Sequence, residues 1–132
     1  MSNVQQKKIK VLVADDEAGI RDLIKYLLEP LGYDVVTVRD GQEAVDIVST
    51  KEFDIIFLDI HMPKMRGTEA LDQIRKLRPS QAVVIFSSSS DPFYVFESQA
   101  RQRGAFDCMY KPFELEDLIK IIDKAVVHNG VN

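Results

Sequence analysis

The sequence has a single cysteine, Cys108, so no intrachain disulfide can form and cysteine cannot build a zinc cluster. A chain without disulfides fits a reducing compartment, and the cytoplasm is the expected location. No apolar run approaches the roughly 20 residues that a membrane helix needs, so no membrane partner is expected. The opening MSNVQQKKIK has a basic pair but no long apolar stretch after it. VLVA stops at Asp15, so no signal peptide is read there. Excess charge of one sign is also missing: 17 Lys and Arg face 21 Asp and Glu, a net charge of −4. The basic residues are dispersed and form no stripe suited to a phosphate backbone, so nucleic acid is not an expected partner. Linkers, low-complexity stretches and internal repeats are absent as well. What is there is 132 residues, 45% of them hydrophobic, an ordinary composition for one globular domain. One domain over residues 1–132 is expected, with its core at about 9–127.

Strand-like and helix-like periods alternate from end to end. IKVLVA (9–14), DVVTVRD (34–40), FDIIFLD (53–59), AVVIFS (82–87) and AFDCMYK (105–111) read as strands. Helical periods follow each of them. In the first, Ile20, Leu23, Ile24, Leu27, Leu28 and Leu31 recur at the spacing of one helix face, until Pro30 and Gly32 stop it. The second and third helices are read over 41–51, with Ala44, Val45 and Val48 inward, and over 67–79, with Leu71, Ile74 and Leu77. The fourth covers 92–104 and the fifth 114–130, where Leu115, Leu118, Ile119, Ile122 and Val126 form the stripe. This alternation implies an α/β fold, a doubly wound parallel sheet with helices on both faces. Residues 55–58 and 83–86 are continuously apolar, as strands buried on both faces are.

In open parallel sheets, ligands bind outside the carboxyl ends of the strands, near a reversal of strand order. The first strand ends in Asp15-Asp16, the third in Asp59, the fourth in Ser87 and the fifth in Lys111, before Pro112. The second offers only Asp40. If strands 1, 3, 4 and 5 are neighbours, their ends bring carboxylates, a hydroxyl and an amine to one shallow pocket. Any one of these aspartates, Asp16 above all, reads as well as a helix cap or a solvated loop residue. Their combination is harder to assign to capping. Two carboxylates ~5 Å apart repel by roughly 3 kcal/mol at an effective dielectric of ~20, so three require compensation. A divalent cation and the Lys111 ammonium would supply it, and an oxygen donor set suits hard Mg²⁺ or Mn²⁺. An aspartate held this way can attack phosphorus while cation and lysine neutralise the phosphoryl oxygens. The chemistry then assigns roles. Asp59 attacks, Asp15 and Asp16 hold the metal, Lys111 pairs with the phosphate and Ser87 bonds it.

At this point the chain resembles a response regulator receiver domain, from Lys10 to about Val127. The resemblance rests on VLVADDE, DIIFLDIHMPKMRG, the serine after VVIF, and YKPF, in that order on those strand ends. It implies a flavodoxin-like sheet of five strands in the order 2-1-3-4-5. It also implies that Asp59 takes a phosphoryl group from a phosphohistidine on a sensor histidine kinase or phosphotransfer protein. Mg²⁺ would be bound directly by Asp16, Asp59 and the backbone carbonyl of His61, with Asp15 acting mainly through water. Met62, Pro63 and Gly67 would shape the loop after the third strand, and Pro112, often cis in the family, the turn after Lys111. Phosphorylation would shift the surface of helix 4, strand 5 and helix 5, which a downstream protein would read. Such a protein is a switch and not an enzyme acting on a separate substrate.

The sequence departs from the family at Cys108, which stands where an aromatic switch residue is usual, with Tyr110 on the same strand side by alternation. The segment between Ser87 and Gly104 reads slightly longer than usual, and Ser88 replaces a small residue. His61 reads as a side chain overhanging the phosphate, a plain loop residue or, behind these, a transition-metal ligand. His128 reads as a helix-terminal residue meeting the dipole. Phe93, Tyr94 and Phe96 read as one core ring with two that could anchor a partner. The alternative to a phosphoacceptor is a pseudo-receiver that keeps the fold as an interaction module. A haloacid-dehalogenase-like phosphatase is disfavoured because DIH lacks the second carboxylate, and a flavodoxin because DDE would repel a flavin phosphate.

Overall fold

The computed structural model describes residues 8–87 and 93–128. Five strands and five helices alternate: β1 (Lys10–Ala14), α1 (Ala18–Leu28), β2 (Asp34–Val38), α2 (Gly41–Val48), β3 (Ile55–Asp59), α3 (Gly67–Leu77), β4 (Val83–Ser87), α4 (Phe93–Gln102), β5 (Asp107–Tyr110) and α5 (Leu115–His128). The strands form one parallel sheet in the order β2-β1-β3-β4-β5. The chain runs outward from β1 to β2 and then returns to β3 on the other side of β1. The strand order therefore reverses between β1 and β3, and a crevice opens at their carboxyl ends.

Side-chain alternation along the strands divides the interior into two layers. Leu12, Ile56, Leu58, Val83 and Ile85 pack against α2, α3 and α4. Val11, Val13, Ile55, Phe57, Val84 and Phe86 pack against α1 and α5. Every residue of β3 and β4 is buried, which explains their unbroken apolar text. Each large apolar side chain so buried contributes about 1.5–3 kcal/mol. A ring series, Phe57–Phe86 at 5.9 Å and Phe86–Phe113 at 5.6 Å between centroids, runs through the second layer.

The inward stripes differ from the sequence expectation in places. On α1, Ile24 and Leu28 are buried while Leu23 is exposed. Leu31 is exposed too, because Pro30 ends the helix and residues Glu29–Leu31 tighten into a 3-10 turn. Leu77, at the end of α3, is exposed. On α5 the buried line is Leu118, Ile121, Ile122 and Ala125, spaced i, i+3, i+4, i+7, so Ile121 and Ala125 were missed by the expected stripe. No helix of the described residues is long and apolar enough to cross a membrane. Ser88 and the side chains of Phe93, Tyr94, Phe96 and His128 lie outside the described residues.

Candidate functional site

The first strand delivers Asp15 at its end, fully buried. Asp15 is held on three sides: its N–H donates to Val38 O at 3.1 Å, its carbonyl accepts from Arg21 Nη1 at 2.8 Å, and its Oδ1 accepts the Glu17 N–H at 2.8 Å. That last bond turns the chain back, so Glu17 faces the site. Asp16 is exposed. β3 delivers Asp59, only 4% exposed, whose Oδ1 accepts the His61 N–H at 3.1 Å. His61 itself is exposed beside that carboxylate. β4 delivers Ser87, fully buried, whose carbonyl accepts the Lys111 N–H at 2.8 Å. The Lys111–Pro112 peptide is cis.

The side chain of Lys111 unites these ends. Its Nζ lies 2.8 Å from Asp15 Oδ2, 3.1 Å from Asp59 Oδ2 and 3.1 Å from Glu17 Oε1. It also sits 5.5 Å from the centre of the Phe86 ring. One oxygen each of Asp15, Glu17 and Asp59 can lie within 4.8 Å of the others, and Asp16 is not in that group. The sequence therefore placed Asp15, Asp59 and Lys111 together, as the structure does, but it did not single out Glu17. The only available signal was the third letter of DDE, one residue beyond the strand end.

The loop after β3 is fixed by backbone approach. A Cβ on Gly67 would collide with the Asp59 carbonyl, and one on Gly41 would come within 2.6 Å of Met65 O. Glycine at these two places lets α3 and α2 press the loop against the strand end. Asp40 has a structural role: buried, it caps α2 by accepting the Glu43 N–H at 2.8 Å, and Lys64 lies 3.7 Å from its other oxygen.

The profile of the response regulator receiver domain matches residues 11–123. The chain belongs to the response regulator receiver domain family. It is 34% identical over 116 residues to the DNA-binding transcriptional regulator NtrC of Klebsiella pneumoniae, covering 88% of this chain and 24% of that one. It is 38% identical over 104 residues to the alkaline phosphatase synthesis transcriptional regulatory protein PhoP of Bacillus subtilis, covering 79% and 42%. The chain thus spans 24% and 42% of the length of these two relatives. Among solved structures, a receiver domain protein from Clostridium thermocellum superposes with a TM-score of 0.85 at 33% identity, covering 92% of this chain and 97% of that one.

Electrostatics in this receiver domain are set by crowding. Burial, then the neighbouring Asp15, push the Asp59 carboxyl up to about 6, against the His61 N–H and Lys111, which favour its charged form. Burial works against the Lys111 charge, but hydrogen bonds to the Asp15 and Asp59 carboxylates outweigh it and hold the ammonium above its ordinary range. Asp15 Oδ2 is buried and pairs with the ammonium at 2.8 Å. Three carboxylates gathered against a single ammonium, an all-oxygen donor set, fit a hard divalent cation such as Mg²⁺. Cys108, half-buried on β5, packs with Tyr110 against the α2–α3–α4 layer. Burial pushes its thiol up to about 11, so it stays protonated and neutral at pH 7.

Proposed function

We propose that this receiver domain is a phosphoacceptor of a two-component phosphorelay. The observation that carries this reading is the Lys111 ammonium shared between Asp59 and Asp15 at the switch point of the sheet. In the transfer, an Asp59 carboxylate oxygen attacks the phosphorus of a phosphohistidine on a sensor kinase or phosphotransfer protein. The P–N bond breaks, the imidazole leaves with its electron pair and takes a proton, and an acyl phosphate remains on Asp59. Lys111 neutralises charge on the phosphoryl oxygens, and Ser87, at the end of the adjoining strand, offers the hydroxyl that bonds the product. Asp15 and Asp59 would hold Mg²⁺, with Asp16 and the His61 carbonyl as the further candidates, and the cation would supply charge neutralisation at the phosphoryl group. The protein would act in the cytoplasm as a switch read by a downstream protein, without turning over a separate substrate.

Incubation with acetyl phosphate and Mg²⁺ is the test. One phosphoryl mass should be gained and then lost on hydroxylamine treatment. No mass gain from any small donor or phosphohistidine protein contradicts the reading. Cys108, a small neutral thiol where an aromatic is usual, favours a second reading, an interaction module without chemistry. Such a module would show no Mg²⁺-dependent change.

A further inference from the structure

Lys111 has one more carboxylate around it than the transfer requires. Asp59 is the acceptor and Asp15 the fixed buried anion, whereas the Glu17 side chain is 62% exposed and reaches Lys111 from the solvent side. Nothing in the packing demands a charge there: Glu17 has its backbone N–H tied to Asp15, and its carboxylate touches only the ammonium among the described residues.

The charge count changes with the state of the site. The three carboxylates around Lys111 outnumber its one ammonium, and Asp16 would add a further negative charge beside the cation, so a divalent cation is drawn to an excess of negative charge. Converting Asp59 into a dianionic acyl phosphate then adds one negative charge to this surplus. Without the Glu17 charge every state is one unit less negative, which weakens the pull on the cation and lowers the cost of the added phosphoryl charge. Coulomb interactions over these distances, in a partly desolvated crevice, are large enough to decide between the two states.

We infer that Glu17 sets the balance of the site, strengthening the hold on a divalent cation while weakening the hold on a phosphoryl group at Asp59. The inference rests on the phosphoacceptor reading of Asp59. Glu17 also occupies Lys111, which has to be surrendered before the ammonium can face a phosphoryl oxygen. Glu17 is thus a charge-setting residue that acts through Lys111 and the cation, not through contact with the transferred group.

The test uses the whole chain and two probes, Mg²⁺ alone and beryllofluoride with saturating Mg²⁺, each followed by amide chemical shifts. Glu17→Gln should weaken Mg²⁺ binding about three- to tenfold and tighten beryllofluoride binding by a similar factor. Glu17→Asp, which keeps the charge, should move both constants back toward the parent. A general loosening of the fold would weaken both probes together, so shifts in the same direction, or no shift, overturn the inference while leaving the acceptor reading intact. Failure of the parent protein to bind beryllofluoride at all overturns the acceptor reading, and the inference falls with it.

Discussion

Asp54 and Asp59 stand at opposite ends of β3 and live in opposite surroundings. Asp54 precedes the strand, and its Oδ2 accepts the Lys10 N–H at 2.8 Å while its own N–H donates to Lys10 O at 2.9 Å. That end of the sheet closes backbone. Arg75 donates to Gln81 O at 2.9 Å and Arg78 to Val48 O at 3.1 Å, so each guanidinium finishes a carbonyl that a loop leaves open. At the other end Asp59 shares one ammonium with two further carboxylates. Stability alone does not favour like charges buried together. The difference teaches where the fold uses charge to complete itself and where it holds charge ready for something else.

The contrast breaks most sharply at the two aspartates. Asp59→Asn should abolish phosphoryl incorporation by acetyl phosphate, as read by intact mass. Asp54→Ala should leave incorporation unchanged and lower stability by about 1 kcal/mol, read from urea denaturation midpoints. Equal incorporation in both variants would erase the distinction between the ends.

Lys111→Met is the next largest effect. It removes the cation from three carboxylates, and incorporation should fall by roughly 10²- to 10³-fold. The same variant leaves Asp15 buried without its counter-charge, and its stability in Mg²⁺-free buffer should fall by about 3 kcal/mol at pH 7.

The pH dependence sharpens the comparison further. The folded-state carboxyl of Asp59 lies near 6 against an ordinary 3.8, so the folded protein binds this proton more tightly than the unfolded chain does. Its contribution is fully present below the ordinary value and is lost as pH rises through about 6. Metal-free protein should therefore lose roughly 1–3 kcal/mol between pH 4 and pH 7, and Asp59→Asn should remove that slope and be the more stable protein at pH 7. Urea titrations across this range check it; a parent and variant with parallel profiles would contradict the crowding described here. The smallest effect belongs to the far end. Arg78→Ala should cost about 1–2 kcal/mol through its lost carbonyl bonds, with phosphoryl incorporation unaltered.

Much of this was legible in the sequence because the fold is modular. Continuous apolar text at 55–58 and 83–86 marks strands covered on both faces, and the residue that follows each strand is brought by the parallel arrangement to the same edge. Asp15, Asp59 and Lys111, each at or just past a strand end, were readable as neighbours for that reason. Strand order was not readable from periodicity, since nothing local in β1 tells which neighbours it takes; it came from the resemblance of the motifs. Glu17 was missed because its direction depends on a turn made by one bond, Glu17 N–H to Asp15 Oδ1, and not on a repeating period. The exposures of Leu23 and Leu31 were missed because a helix on a twisted sheet buries a narrower strip than its apolar spacing allows, and Pro30 turns the last residue outward.

Borohydride trapping tests the central claim most directly. After incubation with acetyl phosphate and Mg²⁺, reduction converts an aspartyl phosphate to homoserine, and peptide mass spectrometry locates it. Homoserine should appear at position 59 alone, only when Mg²⁺ is present. Its absence there, or its appearance at Asp15 or Asp16 in place of Asp59, would contradict the site as described.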